Sequence, residues 1–511
     1  MLRSFVLTSL SFLLAIPCFS AVWILPVESY PEQDEVRGGS SPLLNPLFIL
    51  NLIFTLSQSS SSSQPREDLS PEIAEIRGQI SRLYFLLARQ YALQNQLPEA
   101  CNALEKAHSS ELEAYLRRDL PAKQSDSKDC YASDLQRISQ LTGSPTALVY
   151  ATTSQGGLEL IMVPPSGDRT KYLTKQNLKQ LSEPAIANPV RKITGNATTK
   201  DVDIVISDFR NSLRDDASED FMPYARQLYD WVIRPIEADL DRNQIKSIVF
   251  VMNGNLRVVP PAAFHDGKHF LVEKYAVTTI PNWQLTEPKR TDRTLNPQVL
   301  AMGLSESSGG WAALPATKVE VEAISLQVLT GKAFMNSEFT IDNLRSQLDK
   351  QKYGIVHLAT HAKFLDQSPS QSFIQFWGDR LQMDRISKLN LVTDMLTLSA
   401  CETAVGQNLG LAGLAASSGA KSVLASLWTV SDAGTAPLMI RFYSGLATAP
   451  SKAIALQQAQ LALLRGNVQI KNDQIKGIEG IVGIPFSFNA NNIDLKHPYY
   501  WSSFTLVGNW L

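Results

Sequence analysis

Tyr353-Gly-Ile-Val-His-Leu-Ala-Thr-His361 and Asp394-Met-Leu-Thr-Leu-Ser-Ala-Cys401 decide the fold. Each reads as a buried strand whose apolar run ends at a reactive side chain, His361 in the first and Cys401 in the second. Between them lie a polar loop and a short helix-like run, Leu381–Asn390. Strand, crossover and strand favour two parallel neighbours joined right-handedly. Functional groups of open α/β sheets gather at the carboxyl ends of the strands. His361 and Cys401 are therefore expected to meet at one edge, where a thiol beside an imidazole makes a thiolate nucleophile. Taken singly, each has a structural reading as well, since a lone Cys at a strand end usually behaves as a small buried apolar residue. The expected fold class is α/β, a mostly parallel sheet with flanking helices.

His357-Leu-Ala-Thr-His361 and Leu398-Ser-Ala-Cys401-Glu-Thr-Ala404 stand in order with Ala425-Ser-Leu-Trp-Thr-Val-Ser-Asp432 and His497-Pro-Tyr-Tyr-Trp-Ser-Ser-Phe-Thr-Leu-Val-Gly-Asn-Trp510. These four motifs resemble those of the CHAT family, caspase-like cysteine peptidases of bacteria related to separase. The resemblance covers the chain from about residue 145 onward. It implies a caspase-like module with a non-catalytic half at 145–290 and a catalytic half at 291–511. It also implies a Cys401/His361 dyad that cleaves peptide bonds of protein substrates, with the backbone amides of Cys401 and Ala362 as oxyanion donors. The family usually has glycine after the histidine. Ala362 keeps the amide but resists a positive φ and brings a methyl group towards the substrate.

In separase a similar Leu-Trp-x-Val-x-Asp segment contributes an acidic residue near the S1 pocket. Carried over, Asp432 lines that pocket beside Trp428 and pairs with a basic P1 side chain. An aspartate in this place also suits a helix cap. Asn253-Gly-Asn-Leu-Arg-Val-Val-Pro260 looks like the family's Asp-Gly-x-Leu-Arg-x-x-Pro turn, with Asn253 replacing the aspartate. His357 lies four residues before His361. On a helix that spacing suits zinc, but on a strand the two only share a face, so His357 reads as support behind the dyad and no metal is expected.

The chain has 511 residues, enough for more than one domain. Its net charge of −2 gives no bulk attraction to nucleic acid. Neither a Walker phosphate loop nor a dinucleotide fingerprint occurs, and no cofactor is expected. Cys18, Cys101, Cys130 and Cys401 are too few and scattered for a disulfide scaffold or a CxxC zinc site. If Cys101 and Cys130 pair in an oxidising compartment, Cys401 must stay reduced there to act.

Met1-Leu-Arg3 precedes Ser4–Leu25, an uncharged run interrupted by Pro17. Residues 1–25 suit a secretory signal peptide cut near Ser20 or Ala21, or an uncleaved anchor. The chain is expected to be exported or membrane-anchored through this segment, with the side left open. A linker at 26–69 holds a second apolar run at 43–56 and the Ser-rich stretch Ser57–Asp68. The second run is short for a span and interrupted by Asn45 and Asn51, so it reads as an interfacial segment or a buried helix.

Over 70–142 the periodicity is helical. Tyr84, Leu87, Ala88, Tyr91, Ala100, Leu104 and Ala107 fit one tetratricopeptide-like pair, with Leu112 where proline is expected. One repeat cannot bury its own face, so the pair is expected to cap the module. His265 and His269 read as exposed loop residues, and His497 as structural. The partners expected are a protein or peptide substrate, with room for a regulatory protein and no nucleic acid. The rival function is a catalytically silent CHAT module acting as a membrane-tethered scaffold. Intact His361 and Cys401 favour the enzyme.

Overall fold

Parallel strands rich in apolar residues need cover on both faces, and β-sheets of this kind are sandwiched between helices. A computed structural model shows this arrangement. It describes residues 45–60, 65–66, 68–120, 126–166, 188–290, 297–363, 371–389, 391–401, 413–414, 417–428, 431–478, 484–485 and 493–511. Of Asp384, Ser387, Ala400, Cys401, Ile484 and Pro485 only the backbone is described. The segment 1–25, most of the 26–69 linker, Glu402–Ala404 and Thr429–Val430 of the motifs lie outside the described residues.

Three helices come first: α1 (Pro46–Ser60), α2 (Pro71–Leu93) and α3 (Leu97–Leu116). The second apolar run thus forms a helix that extends into the Ser-rich stretch. Helix α2 starts where the Ser70 hydroxyl accepts from Ile73 N, with Pro71 in the first turn. Next come α4 (Ala132–Thr142), the hairpin β1 (Thr146–Ser154) and β2 (Gly157–Val163), and β3 (Val190–Thr194). They are followed by α5 (Thr199–Leu213), α6 (Met222–Val232), α7 (Arg234–Arg242), β4 (Ser247–Met252) and β5 (Ala276–Thr279).

The remaining half runs through β6 (Val299–Gly303), α8 (Ala316–Glu322), β7 (Gly331–Met335), α9 (Ile341–Lys350) and β8 (Ile355–Lys363). It continues as β9 (Phe373–Phe376), β10 (Asp379–Gln382), β11 (Met395–Cys401), β12 (Ser422–Ser426), α10 (Asp432–Leu446) and α11 (Lys452–Leu464). A small three-stranded sheet, β13 (Gln469–Lys471), β14 (Gln474–Lys476) and β15 (Ile484–Pro485), precedes the terminal β16 (Phe504–Gly508).

The main sheet follows the order β10-β9-β8-β11-β12-β16-β5-β4-β1-β2-β3, with β6 paired to β8 and β7. Pairing is parallel along β7-β6-β8-β11-β12 and along β16-β5-β4-β1. It is antiparallel at the hairpins and at β12–β16. The terminal strand joins the two halves, Val507 pairing with Thr279 on one side and Val423 on the other. Strand β8 is buried from Ile355 to Ala362. The stretch read as a polar loop and a helix-like run contains the β9–β10 hairpin before a 3-10 turn at Met383–Leu389. Gly378, at φ +71°, takes the turn of that hairpin. Four-residue strands leave too short a periodic signal to be read from sequence.

The helical pair is fastened to the sheet by polar groups as well as apolar ones. Glu105 of α3 is fully buried and accepts from Tyr150 Oη at 2.8 Å, Trp283 N at 3.1 Å and Gln284 N at 3.0 Å. Burial pushes its carboxyl up to about 7 against the pull of these donors. Arg257 reaches Glu111 at 3.1 Å and His108 Nδ1 at 2.9 Å. Cys101 and Cys130 form a disulfide between α3 and the segment before α4. Pro46–Leu511 is one compact unit.

Asn253 uses both ends of its amide. Its Oδ1 accepts from Thr153 N at 2.8 Å, and its Nδ2 donates to Thr153 O at 3.2 Å. An ionised aspartate only accepts, so this departure from the family turn has a structural use here. His265 differs from its expected exposure: it is buried against Phe270 and accepts from Gly267 N. His497 caps the turn at Pro498–Trp501 and donates from Nε2 to Ser218 O.

Candidate active site

Strands β8 and β11 are parallel neighbours in a register that pairs Thr397 with His357 and Cys401 with His361. Adjacent strands run about 4.8 Å apart. The backbones of Cys401 and His361 therefore lie side by side at the carboxyl ends of their strands.

His361 is 6% exposed. Its Nε2 lies 2.9 Å from the carbonyl oxygen of Ala312. A carbonyl only accepts, so Nε2 carries the proton and the neutral ring keeps its lone pair on Nδ1. The indole of Trp311 stacks on the imidazole, with centroids 4.8 Å apart and planes 24° apart. Phe373 lies edge-on to Trp311, and the Arg380 guanidinium sits over Phe373. Burial lowers the basicity of His361 below that of a free histidine, with the Ala312 carbonyl opposing. The ring is thus held as a neutral base at neutral pH. The acid limb of any activity that depends on this base is expected below pH 6.5. A rate profile against pH measures it; an added fall in rate above neutral pH, as an imidazolium loses its proton, would mean that a thiolate–imidazolium pair is the active form instead.

Trp311 and Ala312 stand on the loop between β6 and α8, turned by Gly309 and Gly310 at φ +60° and +85°. Ser308 and Trp311 bridge across that turn. Positive φ at two successive positions strains any residue with a Cβ, and a Cβ on Gly309 would meet Gln375 Nε2 at 2.8 Å. The sequence reading missed both groups. The Gly-Gly-Trp sequence marks the turn, whereas a backbone carbonyl as the partner of His361 leaves no mark in a sequence.

Ala362 is buried in the core and pairs with Ile374. It is not among the residues with positive φ. Side chains alternate along a strand, so its methyl takes the face opposite His361 and is packed away. The crowding expected from the sequence does not arise in this extended conformation.

His357 is fully buried, with Nε2 3.2 Å from Glu320 Oε1 of α8, a close approach whose geometry makes no hydrogen bond, so both atoms are left without one among the described residues. The Tyr443 hydroxyl of α10 bridges His357 Nδ1 at 3.0 Å and Thr397 Oγ1 at 2.7 Å. These hydrogen bonds tie β8 and β11 to α10, with α8 packed alongside, four residues before His361 and Cys401 on their strands.

Asp432 also makes a contact within the fold that the resemblance does not imply. Ser431 caps α10 with its hydroxyl, accepting from Gly434 N. The Asp432 carboxylate instead reaches across to the start of α8, its Oδ2 accepting from Ala316 N at 2.6 Å. Burial pushes this carboxyl up to about 7; the amides of Ala316 and Thr317 pull it down, and Glu320 adds to the rise. Trp428 is fully buried, and its indole Nε1 meets no acceptor among the described residues. It therefore presents no surface to a substrate in this conformation. Helix α8 is held at its first turn by Asp432, and further along its Glu320 packs against His357. The loop that leads into α8 carries the Ala312 carbonyl.

The CHAT domain model matches residues 222–509, more than half of the chain. Among solved structures, the crystal structure of the Saccharomyces cerevisiae separase–securin complex is similar at a TM-score of 0.42 and 10% identity. The match covers 90% of this chain and 38% of that one, so the chain spans well under half of that protein. A likeness at this level carries no argument about activity or partners. No curated protein matches the chain. The family match rests on the segment that contains β8, β11 and the terminal strand, and by it the chain belongs to the CHAT domain family.

Proposed function

We propose that the chain is a caspase-like cysteine endopeptidase that cleaves protein substrates with Cys401 as nucleophile and His361 as base. The observation that supports this most is the register that sets Cys401 beside His361, with His361 Nε2 held by Ala312 O. The thiol proton passes to His361 Nδ1 as sulfur bonds to the carbonyl carbon of the scissile peptide. The backbone amides of Cys401 and Ala362 take the oxyanion, a contribution of about 100- to 1000-fold per donor. As the C–N bond breaks, the leaving amine takes the proton from the imidazolium and a thioester remains. Water, deprotonated by His361, then attacks the thioester, releasing a carboxylate and restoring the thiol.

Incubation of the folded protein with a peptide library, followed by mass spectrometry of the products, tests the reading. Cleavage that stops when Cys401 is alkylated supports it. An alkylated Cys401 with no cleavage of any peptide or protein before alkylation favours the scaffold role. Cleavage after basic residues is the finer proposal, with the Asp432 charge as its source. Asp432→Asn keeps an acceptor for Ala316 N and removes the charge. A fall of about 10- to 100-fold confined to Arg and Lys substrates, the scale of a lost charged hydrogen bond, is the expected result. Equal rates on all substrates would leave Asp432 as the cap of α8 alone.

Export or membrane attachment through the N-terminal segment belongs to the same proposal. A Cys101–Cys130 disulfide suits an oxidising compartment.

A further inference from the structure

Helix α1 packs on α2 through a narrow stripe, Ile49 and Ile53, with Leu56 half-buried at the same helical spacing. Five large apolar residues of its first nine positions are exposed, and its last turns carry the polar Thr55, Gln58 and Ser59. Leu47 is 69% exposed and Phe54 65%, and Phe48, Leu50 and Leu52 are exposed as well. At 100° per residue, Leu47, Leu50 and Phe54 fall within an arc of about 60° turned away from α2. The helix carries no charged residue, Asn51 and Gln58 being the amides on its outer side. Soluble proteins rarely leave a contiguous apolar surface of this kind uncovered.

We propose that this face of α1 lies in the headgroup–acyl boundary of a lipid bilayer and seats the module on a membrane surface. The length of α1 supports this occupant: 15 residues make about 22 Å, short of the ~30 Å needed to span, so the helix lies in the plane. No described helix is long and apolar enough to cross a membrane. The chain outside the described residues points the same way. Ser4–Leu25 is uncharged and long enough to span, and the segment 26–45, even fully extended, reaches at most about 70 Å. A bilayer holding Ser4–Leu25 is thus within reach of α1, and an uncharged apolar face suits acyl chains better than a charged protein surface.

The full chain, reconstituted in phosphatidylcholine–phosphatidylglycerol vesicles doped with a diazirine-bearing acyl lipid, tests this by photolysis and peptide mapping. Lipid adducts are expected at Leu47, Leu50 and Phe54, with Ile49 and Ile53 spared. In a Leu47→Ser/Leu50→Ser/Phe54→Ser variant, which leaves the contact with α2 intact, adducts on 46–60 are expected to fall by about tenfold or more. Adducts confined to residues 4–25, with 46–60 unlabelled, would overturn the proposal. So would unlabelled 46–60 segments in the vesicles together with cross-linking of two copies through photoleucine placed at Leu47 and Leu50. Wild-type labelling decides the matter even where the variant fails to fold.

Discussion

Replacing Cys401 by alanine is expected to reduce peptide hydrolysis by roughly 10⁴-fold or more, and replacing His361 by alanine to do nearly the same. The double variant should be no slower than the worse single one. The two groups act in one step: without the base the thiol stays protonated, and without the thiol the base has nothing to activate. Additive losses would mean that the residues act separately and would count against a dyad. Thermal melts run beside the kinetics separate chemistry from folding. Cys401→Ala removes only one sulfur atom, so a large loss of rate with a small change in melting temperature is the expected pair of results. Labelling by a thiol electrophile gives a second readout. Cys401 reactivity should fall in His361→Ala, whereas a thiol indifferent to His361 would mean that the base does not reach it.

Glu320→Ala is expected to destabilise the fold by about 1–3 kcal/mol, because it removes the buried side chain that lies 3.2 Å from fully buried His357 and leaves a gap there. Denaturant titration measures this. Replacing both partners, as in Glu320→Leu with His357→Phe, should recover much of the stability, since well-packed apolar pairs often substitute for buried ionic ones at little cost. Activity should not recover to the same extent. Helix α8 would then be held at its first turn by Asp432 alone, and the loop carrying the Ala312 carbonyl would be less firmly placed. The expected signature is a lower kcat with KM little changed, since the altered residues lie behind the dyad. Full recovery of kcat in the double variant would show that the buried pair serves the fold only.

Much of the core of this protein was legible in its residues. The order strand, crossover, strand favoured parallel neighbours ending at His361 and Cys401, although His357, Thr360, Thr397 and Ser399 interrupt the apolar runs. The parallel neighbours, their order and the position of both residues at the carboxyl edge follow from that pattern and from the handedness of crossovers. The terminal strand was also readable, although its place between β12 and β5 was not. Insertion at the centre of a sheet depends on which edges the other strands leave open, and that is a property of the assembled fold.

What only the tertiary structure decided concerns groups brought together from distant segments. The carbonyl of Ala312 is a backbone atom, identical in every residue, and it becomes the partner of His361 only because Gly309 and Gly310 turn the loop over β8. The motif gave Asp432 no partner within the fold, yet a carboxylate takes whatever donors its neighbours leave unpaired. Here those are the first amides of α8, more than a hundred residues earlier in the chain. Ala362 looked like an obstacle because a sequence does not state φ; in an extended strand its methyl turns to the core. The sequence by itself determined which strands are buried and which two residues end them, since burial follows from side-chain chemistry. The partners of His361, His357 and Asp432 were set by long-range packing, because a hydrogen bond depends on where two groups meet and not on what either one is.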